Sequence, residues 1–413
     1  MKMFFDATLL LTENGHDGYR SGIYFVAKNL LEQFVKCDKL QIFLFTQTAT
    51  TSLLDDFRKK NYPNLSLSFE PNRRTNLFDI LYKFYQRQHE RFFRISLVRK
   101  CFTTMLIITE KLYPYVCFEK KNTLSGVYFS PNTVAPGYIR RNRKVKKYVV
   151  LHDLIPLRLP EYAGGAPWFW NLIHHLNVDD FYFANSDYTK KDFLNEYPFL
   201  IKEHIETVPL AASSFFKQIT AVNMSKIKLK YNIPNDKKYI FSLCTVEPRK
   251  NLIRIMDSFV RFVRKNNVKD LVFVVGGGAW KVLVNTLKAK LGSKFENEVY
   301  YAGYIDDEDL PILYSNAEWF VYTSQYEGFG LPPLEAMQCG CPVIVSNSTS
   351  LPEVVGDAGI LIDWDSDEQH VAAYEKYYYN EKLRNENRRK GLERATMFSW
   401  EKAAKKMISV MGV

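Results

Sequence analysis

The chain of 413 residues lacks several features, and each absence removes a class of protein. No stretch reaches the ~18 apolar residues that a membrane-spanning helix needs; the nearest, residues 101–108, is short and flanked by Arg99, Lys100, Glu110 and Lys111. The N-terminus, MKMFFDATLL, has one lysine and then Asp6, without the long apolar core of a signal peptide. It reads as a first β-strand. Only six cysteines occur, scattered and mostly within apolar runs. They exclude a disulfide scaffold and point to a reducing cytosol. Cys339-x-Cys341 has no second pair, so structural zinc is not expected. Repeats and low-complexity tracts are absent. Disorder is excluded too, since 46% of residues are hydrophobic and 24% charged.

Length and charge add positive information. A chain this long implies two domains, because single cores stop growing near ~250–300 residues. The net charge of +11 is concentrated: residues 73–147 hold 17 basic against four acidic residues, a larger surplus than that of the whole chain. Three partners fit such a segment: an anionic membrane surface, a phosphorylated substrate or nucleic acid.

Strand-like and helix-like runs alternate, the pattern of parallel α/β domains. Residues 2–11, 40–45, 127–129, 147–151 and 181–184 read as strands, with an amphipathic helix starting near Ser21-Gly22. Residues 77–120 interrupt the rhythm with a helical pattern of Phe, Tyr, Leu and Arg, read as an insert in the first domain. It suits a helix packed on its own domain, an interfacial helix or a nucleic-acid surface. A second series follows Asn223: strands at 239–244, 271–275, 299–302, 319–323, 342–346 and 359–362, with a helix over 251–265. The expected organisation is therefore a domain over 1–210, a linker near 205–221, a second domain over 223–390, and a C-terminal helix over 391–413 returning to the first. Both domains are doubly wound, so a ligand is expected in the cleft at the carboxyl ends of the strands.

The most informative segment is Tyr326-Glu327-Gly328-Phe329-Gly330-Leu331-Pro332-Pro333-Leu334-Glu335-Ala336-Met337. Pro-Pro marks a first helical turn, and glycines before it let backbone N–H groups approach a ligand. A helix N-terminus favours anions such as phosphate. A carboxylate beside that phosphate suits hydroxyls, because it only accepts. The implied ligand has both phosphates and sugar hydroxyls. Gly276-Gly277-Gly278 follows a strand but is not G-x-G-x-x-G, and reads as a strand-to-helix turn contacting ligand through backbone only. Asp363-Trp364-Asp365-Ser366-Asp367 reads as a solvated loop rather than a cation site.

The Glu-x7-Glu spacing of Glu327 and Glu335, within YEGFGLPPLEAMQCGCPVIVS, resembles the donor-site signature of retaining glycosyltransferase family four, with the GT-B fold. Thr245-Val246-Glu247-Pro248-Arg249-Lys250-Asn251 resembles that family's diphosphate-binding turn, and Leu151-His152-Asp153-Leu154-Ile155-Pro156 its N-domain histidine motif. The likeness is carried by residues 239–363, extends over 127–193 and is faint over 50–125. It is similar above all to mannosyltransferases of bacterial surface polysaccharide synthesis.

The resemblance implies two Rossmann-like domains facing across a cleft and a retaining transfer from a nucleotide-sugar, with GDP-mannose the preferred donor. Glu335 would then bind ribose hydroxyls and Glu327 the donor sugar. Gly328, Phe329, Gly330 and Leu331 would meet sugar and phosphate, while Arg249 and Lys250 would neutralise the departing diphosphate. His152 would contact the transferred sugar, Gly22 the diphosphate from the N-terminal side, Tyr304 the base, and Gly276 the donor through its backbone. No metal, cofactor or nucleic-acid partner is expected, since no recognised nucleic-acid fold accompanies the basic segment. The acceptor would be a saccharide, carried on a lipid, and the protein cytoplasmic or peripheral on the inner face of a membrane. A nucleotide-sugar epimerase or glycogen-type synthase of the same fold, a UDP- or dTDP-sugar donor, and a non-catalytic binding module are the competing readings. Because Lys250 and Glu335 should line a cleft, truncating either is expected to leave thermal stability nearly unchanged.

Overall fold

The computed structural model describes residues 1–11, 22–47, 51–68, 73–91, 96–117, 124–165, 167–219, 222–245, 247–277, 285, 295 and 297–413. Ser21, residues 92–95 and 118–120, Val246 and Gly278, on which parts of the expectations fell, lie outside these.

Among the described residues the strands form two parallel sheets. The first has the order β3-β2-β1-β4-β5-β6-β7 and the second β10-β9-β8-β11-β12-β13. In the first sheet these are β1 Lys2–Asp6, β2 Gln41–Phe45, β3 Ser66–Leu67, β4 Gly126–Ser130, β5 Val145–Leu151, β6 Phe181–Ala184 and β7 Ile205–Thr207. The second comprises β8 Lys238–Leu243, β9 Leu271–Gly276, β10 Val299–Gly303, β11 Phe320–Tyr322, β12 Val343–Ser346 and β13 Gly359–Ile362. Runs such as LVFVVG are buried at every position, as strands covered on both faces must be. Each order reverses once, between β1 and β4 and between β8 and β11, and in such sheets that reversal opens a crevice at the carboxyl ends.

Helices cover both sheets: α1 Gly22–Val35, α2 Thr51–Asn61, α3 Arg73–Arg91, α4 Ser96–Cys117, α5 Asp187–Glu196, α6 Leu252–Lys265, α7 Leu310–Asn316, α8 Leu331–Gln338, α9 Asp367–Tyr379, α10 Glu381–Ala395 and α11 Trp400–Val410. Helix α6 buries Leu252, Ile255, Met256, Phe259, Phe262 and Val263, apolar positions at the 3.6-residue period. Phe259 meets Phe273 of β9 and Tyr374 of α9, tying two layers into one core. Helix α10 packs on α8, whereas α11 packs on α1 of the first domain. Lys406 of α11 also pairs with Glu206 of β7 at 2.5 Å.

Three elements differ from the sequence reading. Residues 2–11 are not one strand: β1 stops at Asp6, whose carboxylate accepts hydrogen bonds from the Thr8 backbone N–H at 3.0 Å and from the Thr8 hydroxyl. This local turn starts the helical turn Thr8–Leu11. The linker begins later than expected, because residues 205–207 pair with β6 as β7. The insert is two helices, α3 and α4, packed against one another between β3 and β4. The five cysteines whose side chains are described are all free.

Candidate active site

The two crevices face one another and enclose a cleft of about 740 Å³, within the ~300–1,000 Å³ usual for small-molecule sites. Gly22, His152 and Asp153 line it from the first domain; Arg249, Lys250, Tyr322, Glu335 and residues 327–331 line it from the second. Arg249 and Lys250 sit in the turn after β8, and Glu327 follows β11, so the sheet's reversal point brings together residues some eighty positions apart.

Glu327 is the hub. Its Oε1 accepts hydrogen bonds from Lys250 Nζ at 2.5 Å, Arg249 Nη1 at 2.9 Å and the Tyr322 hydroxyl at 2.9 Å. Lys250 also donates to the Tyr322 hydroxyl, and Arg249 Nε reaches Glu247 at 2.8 Å. Burial alone would raise the Glu327 pKa; the two cations outweigh it and hold the carboxyl at about 2. Glu327 is therefore anionic at any physiological pH. Its backbone is held as well, since the Ser350 hydroxyl lies 2.9 Å from the carbonyls of both Glu327 and Phe329 and shares its one hydrogen between them.

Glu335 occupies a contrasting environment in the first turns of α8. The Tyr314 hydroxyl lies 3.3 Å from its Oε2. Burial dominates here, helped by Asp307, and lifts its pKa to about 7 despite that hydrogen bond. Between the two carboxylates, Gly330 caps α8 with φ +106°, a conformation that L side chains avoid. Pro332 and Pro333 lie in the first turn of α8, and no side chain caps the helix. Leu331 faces Gly22 of α1 across the cleft, 3.8 Å from where a Gly22 Cβ would lie. Two helix N-termini from opposite domains thus converge, with partial positive charge at both.

Gly328 touches the other domain directly. A Cβ there would fall 1.9 Å from the His152 carbonyl oxygen, so only glycine permits this approach. Ser186 Oγ and Thr189 Oγ1 of the first domain donate to the Gly328 carbonyl at 2.8 and 3.2 Å. Around this contact, the Arg249 N–H donates to the Tyr162 hydroxyl at 3.1 Å and Tyr326 Oη to Asp192. The Glu353 carboxylate accepts from the Asp187 and Tyr188 N–H groups at 2.8 and 2.6 Å, capping α5 from the facing domain.

His152 is buried, and its Nε2 is 2.6 Å from the Pro131 carbonyl. A carbonyl can only accept, so Nε2 carries the proton and Nδ1 is an acceptor. Burial lowers its pKa to about 4 even with that hydrogen bond, leaving it neutral above pH 6. Asp153 also lines the cleft and is pushed up to about 6 by burial, against the pull of Ile155 N–H and Arg249.

Of the residues singled out in the sequence, Arg249, Lys250, Glu327, Gly328, Phe329, Gly330, Leu331, Glu335, His152 and Gly22 meet at this cleft. Tyr304 and Gly276 do not line it. Tyr304 is 54% exposed beyond β10, and Gly276 packs under Ile305, where a Cβ would come within 2.3 Å of Cδ1. Tyr322 and Asp153 were missed. Tyr322 sits inside an apolar run, and its only clue is its place at a strand's carboxyl end. In the 363–367 loop, Asp367 pairs with Arg254 and Arg261. Among the described residues no group of three or more His, Cys, Asp or Glu could hold a metal ion.

The sequence profile described as glycosyl transferases group 1 matches residues 223–394. The O-antigen chain mannosyltransferase B of Escherichia coli is 31% identical over 288 residues, covering 68% of this chain and 73% of that protein. The serotype-specific mannosyltransferase WbdA of Escherichia coli is 29% identical over 63% of this chain, which spans 32% of WbdA. Among solved structures, a sucrose-phosphate synthase from Thermosynechococcus elongatus superposes over 99% of this chain and 97% of its own, with TM-score 0.65 and 18% identity. Anabaena HepE in complex with UDP-glucose covers 99% of this chain and 98% of its own, with TM-score 0.62 and 15% identity. The fold is GT-B, and the chain belongs to the group 1 glycosyltransferases, as an enzyme similar to the mannosyltransferases of O-antigen synthesis.

Proposed function

We propose that this enzyme transfers mannose from GDP-mannose, with retention of anomeric configuration and without a metal ion, to a lipid-linked saccharide of surface polysaccharide synthesis. The observation that carries the reading is the pairing of opposite chemistries in one cleft. Arg249, Lys250 and two helix N-termini suit a diphosphate, while two carboxylates within the same turn and helix suit hydroxyls. A neutral ligand would not need the first set, and a bare phosphate would be repelled by the second.

In this reading Glu335 takes the ribose hydroxyls and Glu327 the donor sugar, keeping its charge throughout. His152 Nδ1 accepts from a sugar hydroxyl. Asp307 and Glu308 line the cleft near Glu335 and supply carboxylates for the N1–H and N2–H donors of guanine, an edge that uracil and thymine lack. Mannose itself is favoured by the named activity of the Escherichia coli relatives.

In the transfer, the bond from C1 to the phosphate oxygen breaks and C1 bonds to the acceptor oxygen on the same face. The acceptor proton passes to the leaving phosphate. Arg249 and Lys250 stabilise the charge that develops on the diphosphate, which lowers the barrier only if they are already in place. Their hydrogen bonds to Glu327 hold them so. No side chain is assigned as a nucleophile. The test is a panel of GDP-mannose, UDP-glucose and a dTDP-sugar, followed for slow donor hydrolysis in excess chelator. GDP-mannose should be hydrolysed fastest; consumption of a uridine or thymidine donor alone would overturn the donor assignment, and consumption of none would favour a binding module.

A further inference from the structure

Helices α3 and α4 turn apolar side chains outward. On α3, Leu77, Ile80, Phe84, Arg87 and Arg91 are all exposed and recur at intervals of three and four, so they form one stripe, apolar at one end and basic at the other. Ile80 is 64% exposed. On α4, Leu97, Met105, Ile108 and Leu112 form a second exposed stripe, joined by Lys100 and Ile107 to one side, with Leu97 75% exposed. The inner seam is separate: Tyr85 meets Phe102 between the helices, Tyr82 packs on the core, and Lys83 donates to Ser52 of α2 at 2.9 Å. Phe84 also meets Tyr85 edge-on at the border of the seam, whereas Leu77, Ile80, Leu97, Met105, Ile108 and Leu112 are exposed apolar side chains. Neither helix is apolar enough to cross a bilayer.

We propose that this helical hairpin docks the enzyme on an anionic lipid surface, with the two stripes entering the interface and the basic residues meeting lipid head groups. Charge selects this occupant. The two helices hold eight Lys or Arg against three Asp or Glu, so a second copy would oppose a surplus of like charge. Nucleic acid would gain a stacking partner only from Phe84, and nothing from the exposed Leu, Ile and Met that make up the rest of the stripes. A lipid interface accepts both the aliphatic stripe and the cations. The inference rests on the hairpin alone, and is independent of which donor the cleft binds.

Sedimentation of the full chain with sucrose-loaded vesicles tests it, comparing phosphatidylcholine with and without phosphatidylglycerol. Binding is expected only to the anionic vesicles, and release at high salt, where the Debye length falls from about 10 Å at 0.1 M to about 3 Å at 1 M. The double variant Arg87→Gln/Lys100→Gln should weaken partitioning roughly 25-fold, at about fivefold for each charge near the surface. Leu77→Ser/Ile80→Ser/Phe84→Ser should abolish it. Nucleoside diphosphate affinity, measured on the same preparations, should be unchanged and reports that the variants are folded. The proposal is overturned if the wild type ignores anionic vesicles at low salt, or if both variants bind them as well as wild type. It is equally overturned if the apolar variant instead converts a dimer to a monomer, since a second copy would then cover this face.

Discussion

Glu335 supplies the sharpest handle on the site, because its proton and the proposed ribose contact compete. Its ordinary pKa of 4.5 rises to about 7, with burial as the main cause. An acid shifted upward costs stability as pH climbs past 4.5, and the cost is complete above about 7; at ~1.4 kcal/mol per unit it reaches roughly 3 kcal/mol. Ribose hydroxyls reverse this preference, since they donate to the ionised form. At pH 7 about half of the free protein carries this proton, so binding GDP should release about half a proton through Glu335. Between pH 6 and pH 8 the ionised fraction changes about tenfold, and affinity should rise by the same factor. The β-phosphate of GDP also titrates near pH ~6, so the comparison must be with Glu335→Gln, in which that contribution is identical. Calorimetric titration in two buffers of different ionisation heat reads the proton count directly. The variant should bind about ten- to a hundredfold more weakly at pH 8, as expected for losing a charged hydrogen bond of ~1.5–3 kcal/mol, and should lack the extra proton. Equal proton release by the two proteins, or undiminished affinity in the variant, would refute the placement of ribose at Glu335.

Other outcomes follow from the same geometry. Lys250→Met removes one partner of a buried carboxylate; because Arg249 and Tyr322 remain, the cost should be below the ~3–5 kcal/mol of a fully orphaned charge, about 2 kcal/mol, visible as a melting temperature lowered by about 4–8 °C together with a ten- to hundredfold loss of turnover. Gly328→Ala should push the domains apart, since its Cβ would sit 1.9 Å from the His152 carbonyl oxygen; small-angle scattering should show a larger radius of gyration, and an unchanged radius would count against the closed contact. The pH–rate profile should show no limb near 6.5 from His152, which is held neutral down to about 4; a limb there that disappears in His152→Ala would contradict the buried placement. Transfer should survive excess chelator, and its loss and rescue by Mg²⁺ would show a metal requirement.

Much of this architecture was legible beforehand, and the remainder has a physical reason for being hidden. Strands buried on both faces announce themselves as apolar runs, so those of both domains were located to within a few residues, as at 271–276 and 343–346. Short polar elements do not: Ser66–Leu67 is a strand only because β2 offers it an edge. Local side-chain chemistry misled at Asp6, where a hydrogen bond to Thr8 ended a run that hydropathy alone would continue. The Glu327–Glu335 spacing pointed to a turn that lines the cleft, but not to the unequal states of the two carboxylates. Those depend on cations brought by the turn after β8, and at Glu335 on burial, the charge of Asp307 and the Tyr314 hydroxyl, all from residues apart in the chain. The same blindness made Lys250 look like an exposed cleft residue whose loss would be harmless to stability. It is 9% exposed and bonded to Glu327, so its loss should destabilise the fold.

The most direct test of the central claim is proton NMR of the sugar product formed from GDP-mannose and a mannose-containing oligosaccharide acceptor in the presence of chelator. The account predicts disappearance of the GDP-mannose anomeric signal and appearance of an α-linked mannose, the configuration of the donor preserved. A β-linked product would contradict retention, and no product from GDP-mannose, with transfer from another nucleotide-sugar under the same conditions, would contradict the assignment of the donor to this cleft.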